Sequence, residues 1–195
     1  MKLRLDTIIA GLFVLSSLST AETAPKYEFR AAWVATVLRL DWPSSSTVST
    51  QKSQLINIFD GMQKANMNAA IFQIRPACDA FYASEIEPWS NWLTGTEGQA
   101  PNPYYDPLLF AIEEAHNRGI ELHAWFNPYR AKKGSSDGIT ANHVFNKHPE
   151  WILAVGSKKY SENIYYALDE RETEDIKATD YILNPGMADV REYVL

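Results

Sequence analysis

Two short runs in the chain alternate chemistry-bearing side chains with apolar ones. In Phe72-Gln73-Ile74-Arg75 the polar residues fall at every second position. In Leu122-His123-Ala124-Trp125-Phe126-Asn127 an imidazole, an indole and an amide do the same. Side chains alternate across the two faces of a β-strand. If both runs are strands, Gln73, Arg75, His123, Trp125 and Asn127 share one surface, while Phe72, Ile74, Leu122, Ala124 and Phe126 face a helix layer. Polar groups buried without partners are costly, so the first set either forms a network or meets a ligand. An indole beside amide, imidazole and guanidinium groups suits a sugar, whose C–H faces pack on aromatic rings and whose hydroxyls need polar partners.

Each residue has a second reading. Arg75 is either a ligand contact or a brace paired with Asp79. His123 is either a ligand contact or a satisfied core histidine. Trp125 is a sugar platform or core packing. Asn127 and Arg130 flank Pro128-Tyr129 at the strand exit, with Arg130 the better placed to reach a ligand. Asp79 is also a candidate for catalysis. The aromatics Trp42, Phe81, Tyr82, Trp89, Trp92, Tyr104 and Tyr105 fall in stretches that follow the strands. They either line a cleft or fold those loops onto the body of the protein.

Other chemistries are poorly served. The single cysteine, Cys78, cannot form an internal disulfide and is too little for a zinc cluster. It reads as a packed residue, with a catalytic thiol as the alternative. His143 and His148 lie five apart without ligand partners, so no metal site is expected. Glycine-rich phosphate loops and the HExxH and GxSxG motifs are missing, and no cofactor is expected. The formal charge is −6, from 18 basic and 24 acidic residues. With no basic tract, nucleic acid is not an expected partner.

Strands buried on both faces read as continuous apolar runs. Four strand-like runs stand out: Phe29 to Thr36, Ala69 to Arg75, Ile120 to Asn127 and Tyr181 to Leu183. Between the first two, Leu55, Ile58, Phe59, Met62 and Ala65 recur at helical spacing. Ser49 or Thr50 is positioned to cap that helix, and Asn66 to end it. A second helix opens at Asp106-Pro107, buries Leu108, Leu109, Ile112 and Ala115, and stops at Gly119. A weaker helix is expected around 141–147 with a further turn at 150–153, and another after Pro185-Gly186. Strands alternating with helices imply parallel pairing through crossover helices. With long loops after the strands, the expected fold is α/β. It is the N-terminal part of a (β/α)8 TIM-type barrel truncated after about four βα units, since a whole barrel takes about 250 residues.

The chain begins with an export pattern. Lys2 and Arg4 precede an apolar run from Ile8 to Leu15, and Ser19-Thr20-Ala21 offers a cleavage site. Residues 1–21 are therefore expected to be a signal peptide, and 22–195 the barrel portion. The apolar run is short for a membrane span of about 20 residues, which leaves an uncleaved N-terminal anchor as the alternative to a cleaved signal; no membrane partner is expected once it is removed. The protein would be periplasmic or extracellular.

These runs resemble a known family. Phe29-Arg30-Ala31-Ala32-Trp33-Val34-Ala35-Thr36, Gln73-Ile74-Arg75-Pro76 with Asp79-Ala80-Phe81-Tyr82 and Pro88-Trp89-Ser90, and Tyr105-Asp106-Pro107-Leu108 are similar to the family-10-like glycosyl hydrolases. So is Tyr181-Ile182-Leu183-Asn184-Pro185-Gly186. The most specific likeness is His123-Ala124-Trp125-Phe126-Asn127-Pro128-Tyr129-Arg130. The resemblance spans residues 27–195 in order. It implies a TIM-type barrel, hydrolysis of glycosidic bonds, export, and a polysaccharide or peptidoglycan glycan strand as substrate. It also implies a substrate-cleft role for Arg75, Asp79, His123, Trp125, Asn127 and Arg130. The family's acidic strand-end motif is expected beyond Leu195, so no catalytic residue is assigned. Two other readings stand beside it: a glycan-binding barrel without catalysis, and a phosphate-binding metabolic barrel, which would carry glycine-rich late loops and no signal peptide.

Overall fold

The computed structural model of the protein describes residues 28–133, 139–158, 163–167 and 176–195. The expected export segment at 1–21 lies outside them. The elements run β1 (Ala31–Val34), α1 (Val48–Lys64), β2 (Ala69–Arg75), a single turn α2 (Asn91–Thr94), α3 (Pro107–His116), β3 (Glu121–Phe126) and β4 (Arg130–Lys133). There follow α4 (Val144–Lys147), β5 (Ile152–Lys158), β6 (Asn163–Ala167), β7 (Ile176–Leu183) and α5 (Ala188–Val194).

Among the described residues the strands form two sheets. The first is parallel, in the order β1-β2-β3, with Trp33 beside Ile71 and Ile71 beside His123. The crossover helices lie on one face. Val34, Ala70, Phe72 and Ile74 from the strands meet Leu55, Phe59, Met62, Ala111 and Ala115 from α1 and α3 in a closed core. The expected α/β architecture with parallel βα units is therefore present.

Both helices end alike. Asn66 (φ 56°) and Gly119 (φ 69°) take left-handed backbone. Met67 N–H then bonds back to Met62 C=O, and Ile120 N–H to Ala115 C=O. This motif satisfies the last carbonyls of a helix, and it delivers the chain into the next strand two or three residues later. The start of α3 is equally local. Asp106 accepts from Leu109 N–H through Oδ1 at 3.0 Å and from Ala83 N–H through Oδ2 at 2.9 Å. Pro107 fills the first helical position. Two details differ from the sequence expectation. α1 begins earlier, with Thr47 as its N-cap and Ser49 and Thr50 inside the helix. Leu109 is 56 % exposed, because Pro107, Ala111 and Ala115 turn the buried face of α3 away from it.

The fourth strand is the larger correction. Tyr181–Leu183 forms the end of β7, which pairs antiparallel with β4 and β5 in a second sheet of order β4-β7-β5-β6. Parallel neighbours need a crossover of a dozen or more residues. Only Asn127, Pro128 and Tyr129 separate β3 from β4, so the chain leaves the parallel sheet there. The second sheet has its own core of Ala131, Ile152, Ala154, Tyr181 and Leu183, closed by Val144 and Val190. Cys78, from the loop after β2, belongs to this second core. That loop therefore joins the two parts.

Candidate functional site

The face of the parallel sheet opposite the helices carries the alternating residues. Trp33 and Trp125 stand edge to face with ring centroids 4.8 Å apart, and Phe29 meets His123 in the same way at 5.4 Å. Trp33 is 60 % exposed among the described residues. Trp125 is further fixed by its indole N–H, which donates to Asn127 Oδ1 at 2.9 Å. Asn127 Nδ2 in turn donates to Pro76 C=O at 2.9 Å. The indole can only donate and the carbonyl can only accept, so both ends of the amide are assigned.

Gln73 lies beside Trp125 in the register and is fully buried. Its Oε1 accepts from Thr36 N–H and Val37 N–H, both at 2.9 Å. Those two donors fix the amide orientation and leave Nε2 without a partner among the described residues. An orphaned buried donor costs about 1–3 kcal/mol.

Arg75 is used completely. Nε donates to Glu87 at 2.8 and 2.7 Å, and Nη1 to the carbonyls of Asn127 and Pro128 at 2.8 and 3.1 Å. Nη2 donates to Cys78 Sγ at 3.3 Å and to Glu87 Oε1. All five N–H groups of a guanidinium are thereby engaged. Tyr193 O–H donates to the same Glu87 oxygen at 2.9 Å. The ion-pair partner of Arg75 is Glu87 and not the expected Asp79. The backbone reverses between them at Cys78, where φ is 54°. Burial pushes the Cys78 thiol up to about 12, which leaves it protonated and a poor nucleophile.

Asp79 sits in a separate pocket. Oδ1 accepts from Ala77 N–H at 2.8 Å, while His143 Nε2 bonds Ala77 C=O at 3.0 Å. His143 Nδ1 accepts from Phe145 N–H, so the proton is on Nε2 and the ring is neutral. Burial pushes the Asp79 carboxyl up to about 6, against hydrogen bonds from Ser90 and Ala77. Burial likewise lowers the pKa of His143. Asp79 and His143 share a cavity of about 30 Å³ with Glu97 and Lys132, which is room for a water molecule and not for a sugar.

The structure therefore brings Arg75, Trp125 and Asn127 together at the strand exits, with His123 on the same face one alternation back. His123 is half exposed and 3.3 Å from Glu121. Asp79 is buried beside His143 in the small cavity. Arg130 opens β4, and its carbonyl accepts from Cys78 Sγ at 3.4 Å. Among the loop aromatics, Trp42, Phe81 and Tyr105 are core residues. Trp33, Glu87 and Tyr193 escaped the sequence reading. Trp33 was findable, since it has the parity of Gln73 and Trp125 in neighbouring strands. Glu87 and Tyr193 are 106 residues apart, and no local spacing links them. Among the described residues, no group of three or more His, Cys, Asp or Glu is placed to hold a metal ion.

Comparison with known proteins adds the following. The model of the glycosyl hydrolase-like 10 family matches residues 28–195. "Glycosyl hydrolase YngK" of Bacillus subtilis (strain 168) is 46 % identical over 160 residues, covering 80 % of this chain and 31 % of the relative. "Glycosyl hydrolase DigH" of Escherichia coli (strain K12) is 32 % identical over 184 residues, covering 85 % and 36 % respectively. The chain spans about a third of the length of these curated relatives.

Proposed function

Starting from a chain that belongs to the glycosyl hydrolase-like 10 family, we propose that the protein carrying it hydrolyses O-glycosidic bonds in a bacterial polysaccharide, with peptidoglycan glycan strands as the substrate. The family implies a carbohydrate ligand. The observation that carries the reading is the Trp33–Trp125 pair, tethered by Asn127 at the C-terminal ends of parallel strands. Barrel enzymes place their sites at that end, and the pair supplies a ring-stacking surface beside an amide. His123 and Arg130 are the further side chains proposed to meet sugar. Arg75 serves by holding the Asn127 and Pro128 carbonyls, and Asp79 by holding the β2-exit loop.

Glycoside hydrolysis takes two carboxylates on either side of the scissile bond. Glu87 is occupied by Arg75 and Tyr193, and Asp79 is buried in a cavity of about 30 Å³ that it shares with His143. The acid and its partner are therefore proposed to come from other strand ends of a complete (β/α)8 barrel. The second reading is a glycan-binding barrel without catalysis. The order of charged, apolar and small residues before Ala21 supports export to the periplasm or the exterior.

The test is release of soluble sugar from purified peptidoglycan glycan strands by the intact protein. Cleavage is expected. Saturable binding without cleavage would favour the second reading, and neither would sink both.

A further inference from the structure

We propose that His143 is a positioning residue for the Trp125 platform, holding it through Ala77 when neutral and releasing it on protonation, so that sugar binding at Trp125 weakens in acid. This deepens the carbohydrate reading above and rests on it only for what Trp125 does.

The His143 imidazole is buried, and both of its nitrogens are committed. Nε2 donates to Ala77 C=O at 3.0 Å, and Nδ1 accepts from Phe145 N–H at 3.0 Å, which caps α4. An imidazole has an acceptor nitrogen only in its neutral form. A second proton, on Nδ1, therefore sets two donors against each other where the Phe145 bond now lies.

The contacts on either side of the ring say what is coupled. On one side, the Phe145 ring stands edge-on to Tyr181 of β7 with centroids 5.2 Å apart, which fixes the start of α4 to the second sheet. On the other, Ala77 is gripped twice, at its C=O by His143 and at its N–H by Asp79 Oδ1. The residue before it, Pro76, gives its C=O to Asn127 Nδ2, and Asn127 Oδ1 takes the indole N–H of Trp125. A line of hydrogen bonds thus runs from Phe145 through His143, Ala77-Pro76 and Asn127 to Trp125.

The charged groups around the ring do not stabilise an imidazolium there. Asp79, Glu97 and Lys132 line the cavity with it, and Arg75 and Glu87 act from the β2 exit. Glu97 is bonded to Thr140 and Glu87 to Arg75, and Lys132 Nζ lies over the Phe145 ring at 5.5 Å. Burial pushes the Asp79 carboxyl up to about 6, so its charge is lost over the same range of pH. Burial also lowers His143 from 6.5. The neutral ring is thus the form that the fold favours; its contribution is present above pH 6.5 and lost as pH falls through the lowered value.

The experiment uses the intact protein carrying this chain. Hydrogen exchange reports on the Phe145 amide, and fluorotryptophan labelling on Trp125, whose fluorine resonance is assigned by its loss in Trp125→Phe. From pH 7 down to about pH 4.5, across the range where a histidine titrates, protection of Phe145 corrected for intrinsic exchange should fall about tenfold, the worth of one hydrogen bond. The Trp125 resonance should move with the same midpoint. Affinity for the tetramer of N-acetylglucosamine should fall about tenfold with it. His143→Gln keeps an amide donor for Ala77 and has nothing to protonate, so all three readings should stay level across that range. Constant Phe145 protection in the wild type overturns the proposal, even where His143→Gln fails to fold. A Trp125 midpoint that survives in His143→Gln belongs to His123, on the same sheet face, and overturns the coupling. Wild-type affinity that does not change with pH overturns the effect on sugar. If the tetramer binds at no pH, the carbohydrate reading falls and takes the effect on sugar with it, while exchange and resonance still decide the hold on Trp125.

Discussion

Glu87 Oε1 accepts from Arg75 and from Tyr193, in a site where both members of the ion pair are almost wholly buried. Removing one partner of such a pair strands the other charge away from water. Glu87→Ala should therefore destabilise the protein by about 3–5 kcal/mol, measured by denaturant unfolding. A loss below about 1 kcal/mol, the range of exposed pairs, would show that water reaches Arg75. Asp79 offers a pH test. Its pKa is raised from 3.8 to about 6 in the folded state, so folding favours the protonated form. Its contribution is fully present below pH 3.8 and is lost as pH rises through about 6. His143 runs the other way: its folded pKa is lowered from 6.5, so its contribution is present above 6.5 and lost on acidification. Asp79→Asn should remove the first dependence. Between pH 4 and 7 the variant should gain on the wild type by up to about 3 kcal/mol. A stability difference that stays flat across that window would show that Asp79 ionises freely.

At the scale of elements, the two helix–strand junctions are the most local part of the fold. Gly119→Ala should cost about 1 kcal/mol in thermal unfolding, because the left-handed backbone penalises a side chain. A Cβ there would meet no atom within 4 Å, so a much larger loss would point to a packing role instead. Asp106→Ala removes the acceptor of two backbone N–H groups and should cost about 1–2 kcal/mol. Leu109→Ser, on the exposed face of α3, should stay within about 0.5 kcal/mol. These features were legible because a cap, a left-handed residue and an apolar spacing each act within a few residues. The shared register of Gln73 and Trp125 follows the alternation of side chains along a strand, but β2 shifts register between Gln73 and Arg75 and sets Arg75 opposite Phe126, which simple alternation does not foresee. The antiparallel sheet was not legible. Ile152–Lys158 and Asn163–Ala167 pair with each other as chain neighbours although neither is among the strand-like runs of the sequence, and the Tyr181–Leu183 run looks alike in a parallel or an antiparallel sheet. What decides between them is the three-residue link from β3 to β4, which leaves no room for a crossover helix.

In the molecule as a whole, the described residues of the parallel sheet bury one face under α1 and α3 and carry Trp33 and His123 on the other. The second sheet is fastened beside the strand exits by Arg75 with Glu87 and Tyr193, by His143 on Ala77 and by Glu97 on Thr140. The network around Trp125 and Asn127 joins segments distant in the chain, which is why it was not legible in the sequence. The central claim is that Trp125 is a sugar platform in a glycan-cleaving protein. Sugar release from peptidoglycan glycan strands, measured for the intact protein and for Trp125→Ala alongside their melting temperatures, tests it most directly. Losing a large stacking surface worth about 1–3 kcal/mol should lower kcat/KM by about 5- to 150-fold while the variant stays folded. A folded Trp125→Ala variant that releases sugar at the wild-type rate would contradict it.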